Sequence, residues 1–457
     1  MRQLADLLNS FAGTAARLPS GLPLTTSPGV PGSRGSMGAW REAGPPPLSA
    51  AAAAAFPALR AAEAALEAKL ADNAAACVAD YVRLHVLNER LGARRSFRAA
   101  EACRGLNRYC DVLPYDDNRV RLGQPAFAGF SSGGVGGAGC GGAPPGGQPS
   151  PVADSNGPPA AAAAAAVAND YVNASPLQPS TDGDVPWAYI ASQGPLKHTR
   201  DTFWQMAVEQ RCSAIVMLTN TVERGMQKCA AYFAAPPRTA KAFGRYTVST
   251  LSVEQLLPHL ERRSLAVKDT HGQCSSPLKR PLDGAPPHQQ QQQSSAGQGS
   301  GGGSGGGGGP GPQPRTMTVQ HYHYTAWPDH GVPSSAEPLL RLCAELHASG
   351  AHASPILVHC SAGIGRSGVF CVLDIATRRL LHLLEGEGAG SSDAAAAGAE
   401  AVDVATLVAD LRRQRLGMVQ TRDQYVFCHT ALLHFVRHLA AERLASPRQG
   451  GQPLEQE

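Results

Sequence analysis

Cys360 and Arg366 stand six positions apart in PILVHCSAGIGRSGVF, residues 355–370. An apolar, β-branched run leads into the thiol and reads as a strand over 355–359; a helix is expected to begin near Ser367. Between them Ser361, Ala362, Gly363, Ile364 and Gly365 are mostly small, so successive backbone N–H groups can turn toward one anion. The helix adds its positive N-terminal end. The planar guanidinium of Arg366 can hold two phosphate oxygens at once. In that field a thiol of ordinary pKa, about 8.5, becomes a thiolate at neutral pH. The groups that bind a phosphoryl group thus also create a nucleophile for it. A cysteine behind an apolar run is more often inert core, the reading given to Cys371 and Cys428. Packing supplies no reason for an arginine six residues on among glycines and serines.

Positioning such a loop takes a sheet and helices. Strand-like runs fall at 213–219, 246–253, 263–269, 315–327 and 355–359, and helical patterns at 201–211, 335–349, 368–384 and 423–440. The alternation predicts an α/β domain: a highly twisted mixed β-sheet flanked by helices, with 315–327 and 246–253 as antiparallel neighbours. Residues 1–48 read as a disordered leader and 49–98 as an alanine-rich helical lead-in without chemistry, with Leu59, Ala62, Leu66 and Leu70 at helical spacing. The catalytic domain is expected over 99–442, followed by a disordered tail at 443–457. Low-complexity inserts at about 123–167, 269–314 and 386–399 are expected to be disordered surface loops.

Composition bounds the function. The 457 residues include 50 Gly and 36 Pro, and removing the biased tracts leaves about 280 residues, one large domain. A net charge of +4 spread along the chain does not call for nucleic acid. Eleven irregularly spaced cysteines without a CxxC pair make a poor disulfide or zinc framework, which points to a reducing cytoplasm or nucleus. No apolar run approaches the roughly 20 residues that span a bilayer, so no stable membrane insertion is expected. MRQLADLLNSFAGTAARL forms an amphipathic face followed by acid-poor text, so an organelle transit peptide stands as an alternative to a docking helix.

The loop HCSAGIGRS resembles the HC-x5-R-S/T signature of the protein tyrosine phosphatases. Further stretches resemble that family in order: NRYCDVLPYDDNRVRL (107–122), NDYVNAS (169–175), YIASQGPLKHTRDTFWQM (189–206), VERGMQKCAAYF (222–233), WPDHGVP (327–333) and RRQRLGMVQTRDQYVF (412–427). The match is closest to soluble, non-receptor, tyrosine-specific members, plant-type ones included. The resemblance implies Cys360 as nucleophile, Arg366 as phosphate ligand and Asp329 as general acid and then base, with Trp327 anchoring its loop. Gln420 would position the attacking water, supported by Gln424, and Ser367 would bond the departing sulfur. Tyr109 would wall a deep cleft that phosphoserine cannot bottom, and Asp111 would hold substrate backbone. Glu223 would orient Arg366, Lys228 would approach the acid loop, and His359 would tune the thiol. Leu106, Cys110 and His330 depart from the family pattern; the first two bear on peptide preference, the third on loop closure.

The resemblance implies a monomer that acts on tyrosine-phosphorylated proteins, without cofactor or metal. The alternatives are a phosphotyrosine-binding pseudophosphatase, which would lack one of Cys360, Asp329 and Gln420, and a dual-specificity or lipid phosphatase, which the Tyr109 loop disfavours. A low-pKa Cys360 should also be open to reversible oxidation by mild peroxide.

Overall fold

A computed structural model describes residues 45–127, 170–179, 188–270, 316–329, 331–386 and 392–445. The chain enters through α1 (Ala50–Ala55), capped by the Ser49 hydroxyl, which accepts from the Ala52 N–H at 3.2 Å. The long α2 (Pro57–Arg94) starts on a proline and breaks at Ala71–Ala74, where Asp72, Asn73 and Ala74 adopt positive φ. The short α3 (Arg98–Ala102) follows. Then come β1 (Ala174–Leu177), β2 (Tyr189–Ser192), α4 (Arg200–Glu209), β3 (Ala214–Met217), and the small hairpin β4 (Val222–Glu223) and β5 (Met226–Gln227). The strands β6 (Thr239–Phe243), β7 (Tyr246–Leu257), β8 (Leu260–Asp269) and β9 (Thr316–Tyr324) lead to α5 (Glu337–Ala348) and β10 (Ile356–His359). Among the described residues four helices follow: α6 (Gly365–Gly386), α7 (Ser392–Ala401), α8 (Val404–Gln414) and α9 (Arg422–Ala445).

Eight strands form one mixed sheet in the order β1-β2-β10-β3-β9-β8-β7-β6. Its centre is parallel: β10 pairs with β2 and β3 on either side, and β3 with β9. A parallel strand covered on both faces needs a continuous apolar run, and Ile356, Leu357 and Val358 supply it. Alternate residues serve opposite layers. Leu357, Ile215 and Ile190 join Phe203 and Trp204 of α4, while Val358, Val216 and Ala191 join the core shared with α6 and α9. Each fully buried aliphatic side chain contributes about 1.5–3 kcal/mol. The sheet thereby fixes the carboxyl end of β10, where Cys360 follows.

The α/β architecture is the one expected, with four differences. Strand β8 lies between β7 and β9 and pairs antiparallel with both, so 246–253 and 315–327 are not neighbours. The connection at His259, with φ of 66°, returns the chain at once, and local closure wins over a distant pairing. Helix α6 starts at Gly365, two residues earlier than expected. The insert expected at 386–399 contains helix α7, whose Gly398 packs so closely on Ala58 that a Cβ would lie 2.2 Å from its carbonyl oxygen. At the first insert, Gly123–Phe127 is in place, with Phe127 buried. The lead-in also shares the main core: Leu59, Ala62 and Leu66 are buried in it, and α2 packs on α7, α8 and α9. The amphipathic leader, the remaining inserts, the tail after Ala445 and His330 lie outside the described residues.

Candidate active site

Cys360 leaves β10 into a loop whose peptides all face one way. The Ser361 carbonyl accepts from the Gly194 N–H at 2.9 Å, and the Ala362 and Gly363 carbonyls accept from the Arg415 guanidinium at 3.1 and 3.0 Å. The Ile364 carbonyl accepts from the Val419 N–H at 3.0 Å. In a trans peptide the N–H points opposite to the C=O, so pinning these carbonyls outward turns the amides of Ala362, Gly363, Ile364 and Gly365 inward. The Gly363 N–H reaches the Cys360 Sγ at 3.2 Å. Gly363 has a φ of 76°, and a Cβ there would sit 2.1 Å from the Ser192 oxygen, so only glycine fits.

Cys360 is buried, which alone would raise its pKa. The Ser367 hydroxyl, the Arg366 charge and the Ser367 and Gly363 amides outweigh burial and hold the thiol below its ordinary range. The other buried cysteines behave oppositely: burial pushes Cys212 and Cys229 up to about 12. Arg415, fully buried, is lowered by desolvation to about 10 and stays charged at neutral pH, assisted by the nearby Cys360.

Arg366 is held in a fork. Its Nη1 and Nη2 donate to Glu223 Oε1 and Oε2 at 2.7 and 2.8 Å, and Nη1 also donates to the Leu218 carbonyl at 3.0 Å. Burial opposes ionisation of Glu223, yet the Arg366 pair, the Asn220 amide and the Thr219 hydroxyl keep its carboxyl below the usual range. The segment at Trp327–Asp329 meets the same guanidinium: the Pro328 carbonyl accepts from Arg366 Nη2 at 3.2 Å. Trp327 is buried beneath, its ring 5.9 Å from the Arg366 centre and its Nε1 donating to the Gly331 carbonyl at 3.3 Å. Asp329 Oδ1 lies 2.8 Å from Lys228 Nζ, with Arg224 3.9 Å from Oδ2.

On the opposite wall, a Cβ placed on Gly365 would touch Gln420 Oε1 at 3.1 Å and the Gln424 carboxamide at 3.0 Å, which puts both side chains on the cradle. Gln424 Oε1 accepts from the Gln420 and Thr421 N–H groups at 3.0 and 3.3 Å. At the rim, the Ser361 hydroxyl donates to the Lys228 carbonyl at 3.0 Å, so the Tyr109 hydroxyl, 2.9 Å away, donates to Ser361. Tyr109, Cys110 and Asp111 are exposed there.

His359 is wholly buried, and desolvation lowers it to about 4, so it is neutral. Its Nδ1 donates to the Cys360 carbonyl at 3.1 Å, and its Nε2 therefore accepts from the Tyr232 hydroxyl at 2.7 Å. That hydroxyl in turn accepts from His321 Nε2 at 2.7 Å. His359 thus acts on the backbone of Cys360.

Around Cys360 and its loop the structure gathers Arg366, Ser367, Glu223, Trp327, Asp329, Lys228, Gln420, Gln424 and Tyr109, with His359 buried behind the loop and Asp111 exposed beside Tyr109. The sequence reading missed Arg415, which also bonds Asn173 and Ser175; Tyr232; and Arg108, whose guanidinium holds the Gly194 and Pro195 carbonyls at 3.1 and 2.8 Å. The signal for Arg415 was its place inside the glutamine-loop stretch, among other arginines that look alike in sequence.

A buried thiol held below its ordinary range, beside inward amides and a paired guanidinium, is an arrangement that can receive a phosphoryl group, and the comparisons with known proteins identify the family. The protein-tyrosine phosphatase family model matches residues 104–281 and 307–434. The chain is 30% identical over 338 residues to the Arabidopsis thaliana protein-tyrosine-phosphatase PTP1, covering 73% of this chain and 71% of that one. It is 31% identical over 337 residues to the human receptor-type tyrosine-protein phosphatase eta, covering 73% of this chain and 18% of that one. Mouse tyrosine-protein phosphatase non-receptor type 20 is 27% identical over 343 residues, 74% of this chain and 55% of its own. The chain belongs to the protein-tyrosine phosphatase family and is an enzyme of that kind. Among the described residues no helix is long and apolar enough to cross a membrane.

Proposed function

We propose that this phosphatase hydrolyses phosphotyrosine in proteins through a cysteinyl-phosphate. The Cys360 thiolate attacks phosphorus; an S–P bond forms, the aryl P–O bond breaks, and Asp329 gives its proton to the leaving phenolate. Arg366 and the inward amides carry the charge on the equatorial oxygens. A water oriented by Gln420 then attacks phosphorus, Asp329 takes its proton, the S–P bond breaks toward the Ser367 hydroxyl, and orthophosphate leaves. Lys228 holds Asp329 over the cleft, and Glu223 keeps Arg366 in its fork. Tyr109 sets the depth that favours an aryl ester over phosphoserine, and Asp111 accepts hydrogen bonds from the substrate backbone. The free cysteines among the described residues suit a reducing compartment, cytoplasm or nucleus.

The observation that carries the reading is geometric: the buried Cys360 Sγ accepts from the inward Gly363 N–H at 3.2 Å at the head of a loop that ends on Arg366, itself forked on Glu223. Cys360→Ser should abolish turnover of p-nitrophenyl phosphate, a loss above about 10⁴-fold, while still binding phosphotyrosine peptide. Asp329→Ala should lose about 10²–10⁴-fold, more on phosphotyrosine than on the better nitrophenolate leaving group. A Cys360→Ser protein that still clears substrate overturns the mechanism.

A further inference from the structure

The lead-in helix reaches the catalytic machinery from behind. Tyr81 on α2 donates its hydroxyl to the Gln420 carbonyl at 2.5 Å, a contact across 339 residues of chain. One turn on, the Leu84 carbonyl accepts from Arg412 Nη1 at 2.7 Å, and two turns on the Asn88 side-chain oxygen accepts from the Gly417 N–H at 2.9 Å. Arg412 in turn donates to the Met418 and Val419 carbonyls at 2.9 and 2.8 Å, with its guanidinium 5.6 Å over the Tyr81 ring. One face of α2 thus grips the loop from Gly417 to Gln420 at successive points.

That loop needs holding. Val419, immediately before Gln420, has a φ of 56°, a left-handed conformation that a β-branched residue resists. Its N–H is tied to Ile364 in the phosphate loop and its C=O to Arg412. At Gln420 both backbone polar groups are fixed: the N–H by Gln424 Oε1 and the C=O by Tyr81. Freed from Tyr81, the Gln420 peptide could rotate toward a relaxed conformation and carry its carboxamide off the cradle.

We infer that Tyr81 is a positioning residue for the second half-reaction, holding Gln420 through its backbone so that the carboxamide faces the water that hydrolyses the cysteinyl-phosphate. The inference rests on the proposed role of Gln420. It assigns the alanine-rich lead-in a part in catalysis, beyond its part in the core. Phosphoryl transfer to Cys360 does not use Gln420, so Tyr81 affects that step little.

The test is rapid-quench and stopped-flow kinetics with p-nitrophenyl phosphate on the full chain. In Tyr81→Phe, which keeps the ring and deletes the donor, breakdown of acid-trapped cysteinyl-phosphate should slow about three- to tenfold, the scale of one lost hydrogen bond. A nitrophenolate burst should appear, kcat and KM should fall together, and kcat/KM and iodoacetate alkylation of Cys360 should hold. Asn88→Ala, loosening the same loop at Gly417, should act the same way more weakly. Gln420→Ala calibrates the assay. If it accumulates the intermediate and Tyr81→Phe does not, the inference fails and the Gln420 role stands. A drop in kcat/KM with Tyr81→Phe makes the residue merely structural and overturns the inference. If Gln420→Ala accumulates nothing, the Gln420 role fails and Tyr81 falls with it.

Discussion

The phosphate loop and the alanine-rich lead-in are built by opposite means. The loop is a few consecutive residues whose types state their purpose: a thiol, small spacers, an arginine and a helix start. The lead-in is compositionally bland, and nothing in its residue types distinguishes Tyr81 from any half-buried helix tyrosine. In the structure, however, both regions meet the stretch from Gly417 to Gln420: the Ile364 carbonyl of the loop takes the Val419 N–H, and the lead-in takes the Gly417 N–H and the Gln420 carbonyl. A local motif can specify what binds, but groups far away in sequence specify which way its peptides face.

Arg415 offers the sharpest way to break that comparison. It lies outside the signature motif, yet it holds the Ala362 and Gly363 carbonyls outward. Arg415→Lys keeps the charge and loses the fork that spans two carbonyls and Asn173. We expect kcat/KM to fall about 10²–10³-fold, up to about 4 kcal/mol of transition-state stabilisation, as when a preorganised oxyanion donor is lost. The rate of Cys360 alkylation against pH should shift upward as the inward amides relax. An unchanged alkylation profile would show that the cradle is self-sufficient.

This contrast also explains what was legible beforehand. Cys360 and Arg366 stand out by their own residue types and spacing, whereas Asp329, Gln420 and Tyr109 were singled out by the family resemblance of the runs that hold them. The central strands could also be read, since a parallel strand buried on both faces must be continuously apolar. Arg415 could not be read, because its partners lie 52 and 242 residues away and any buried arginine needs such partners. Helix α7 was missed for a related reason. Its alanine-rich text is good helix former and also good low-complexity filler, and only the groove at Ala58 decides between them. The placement of β8 between β7 and β9 depends on a turn at His259 that no composition signals.

The lead-in should behave differently from the loop under truncation. Leu66 is buried in the main core, and Leu66→Ala should cost about 3 kcal/mol of stability by denaturant unfolding. Below the melting transition kcat/KM should remain within about twofold of the parent, because Leu66 sits before the break at Ala71–Ala74 and the Tyr81 grip lies beyond it. A large loss of kcat/KM in fully folded protein would mean that the break does not insulate the two halves of α2.

Acid sensitivity compares the regions at the smallest scale, because one buried neutral histidine packs beside each of them. His359 lies under the phosphate loop and His429 lies on α9, close to Lys69 and Asp80 of the lead-in, and desolvation lowers both to about 4. The unfolded chain binds these protons near pH 6.5 and the folded chain does not, so the stabilisation is complete above pH 6.5 and is lost as pH falls toward 4. At pH 5 the loss is about 2 kcal/mol for each histidine. His429→Gln should therefore flatten the fall in melting temperature between pH 7 and pH 5 without moving the pH profile of Cys360 alkylation. His359→Gln should flatten the same fall and also disturb alkylation, since its Nδ1 holds the carbonyl of Cys360 itself. If both variants moved alkylation equally, the two regions would be one electrostatic unit, and the distinction between a binding loop and its distant support would not hold.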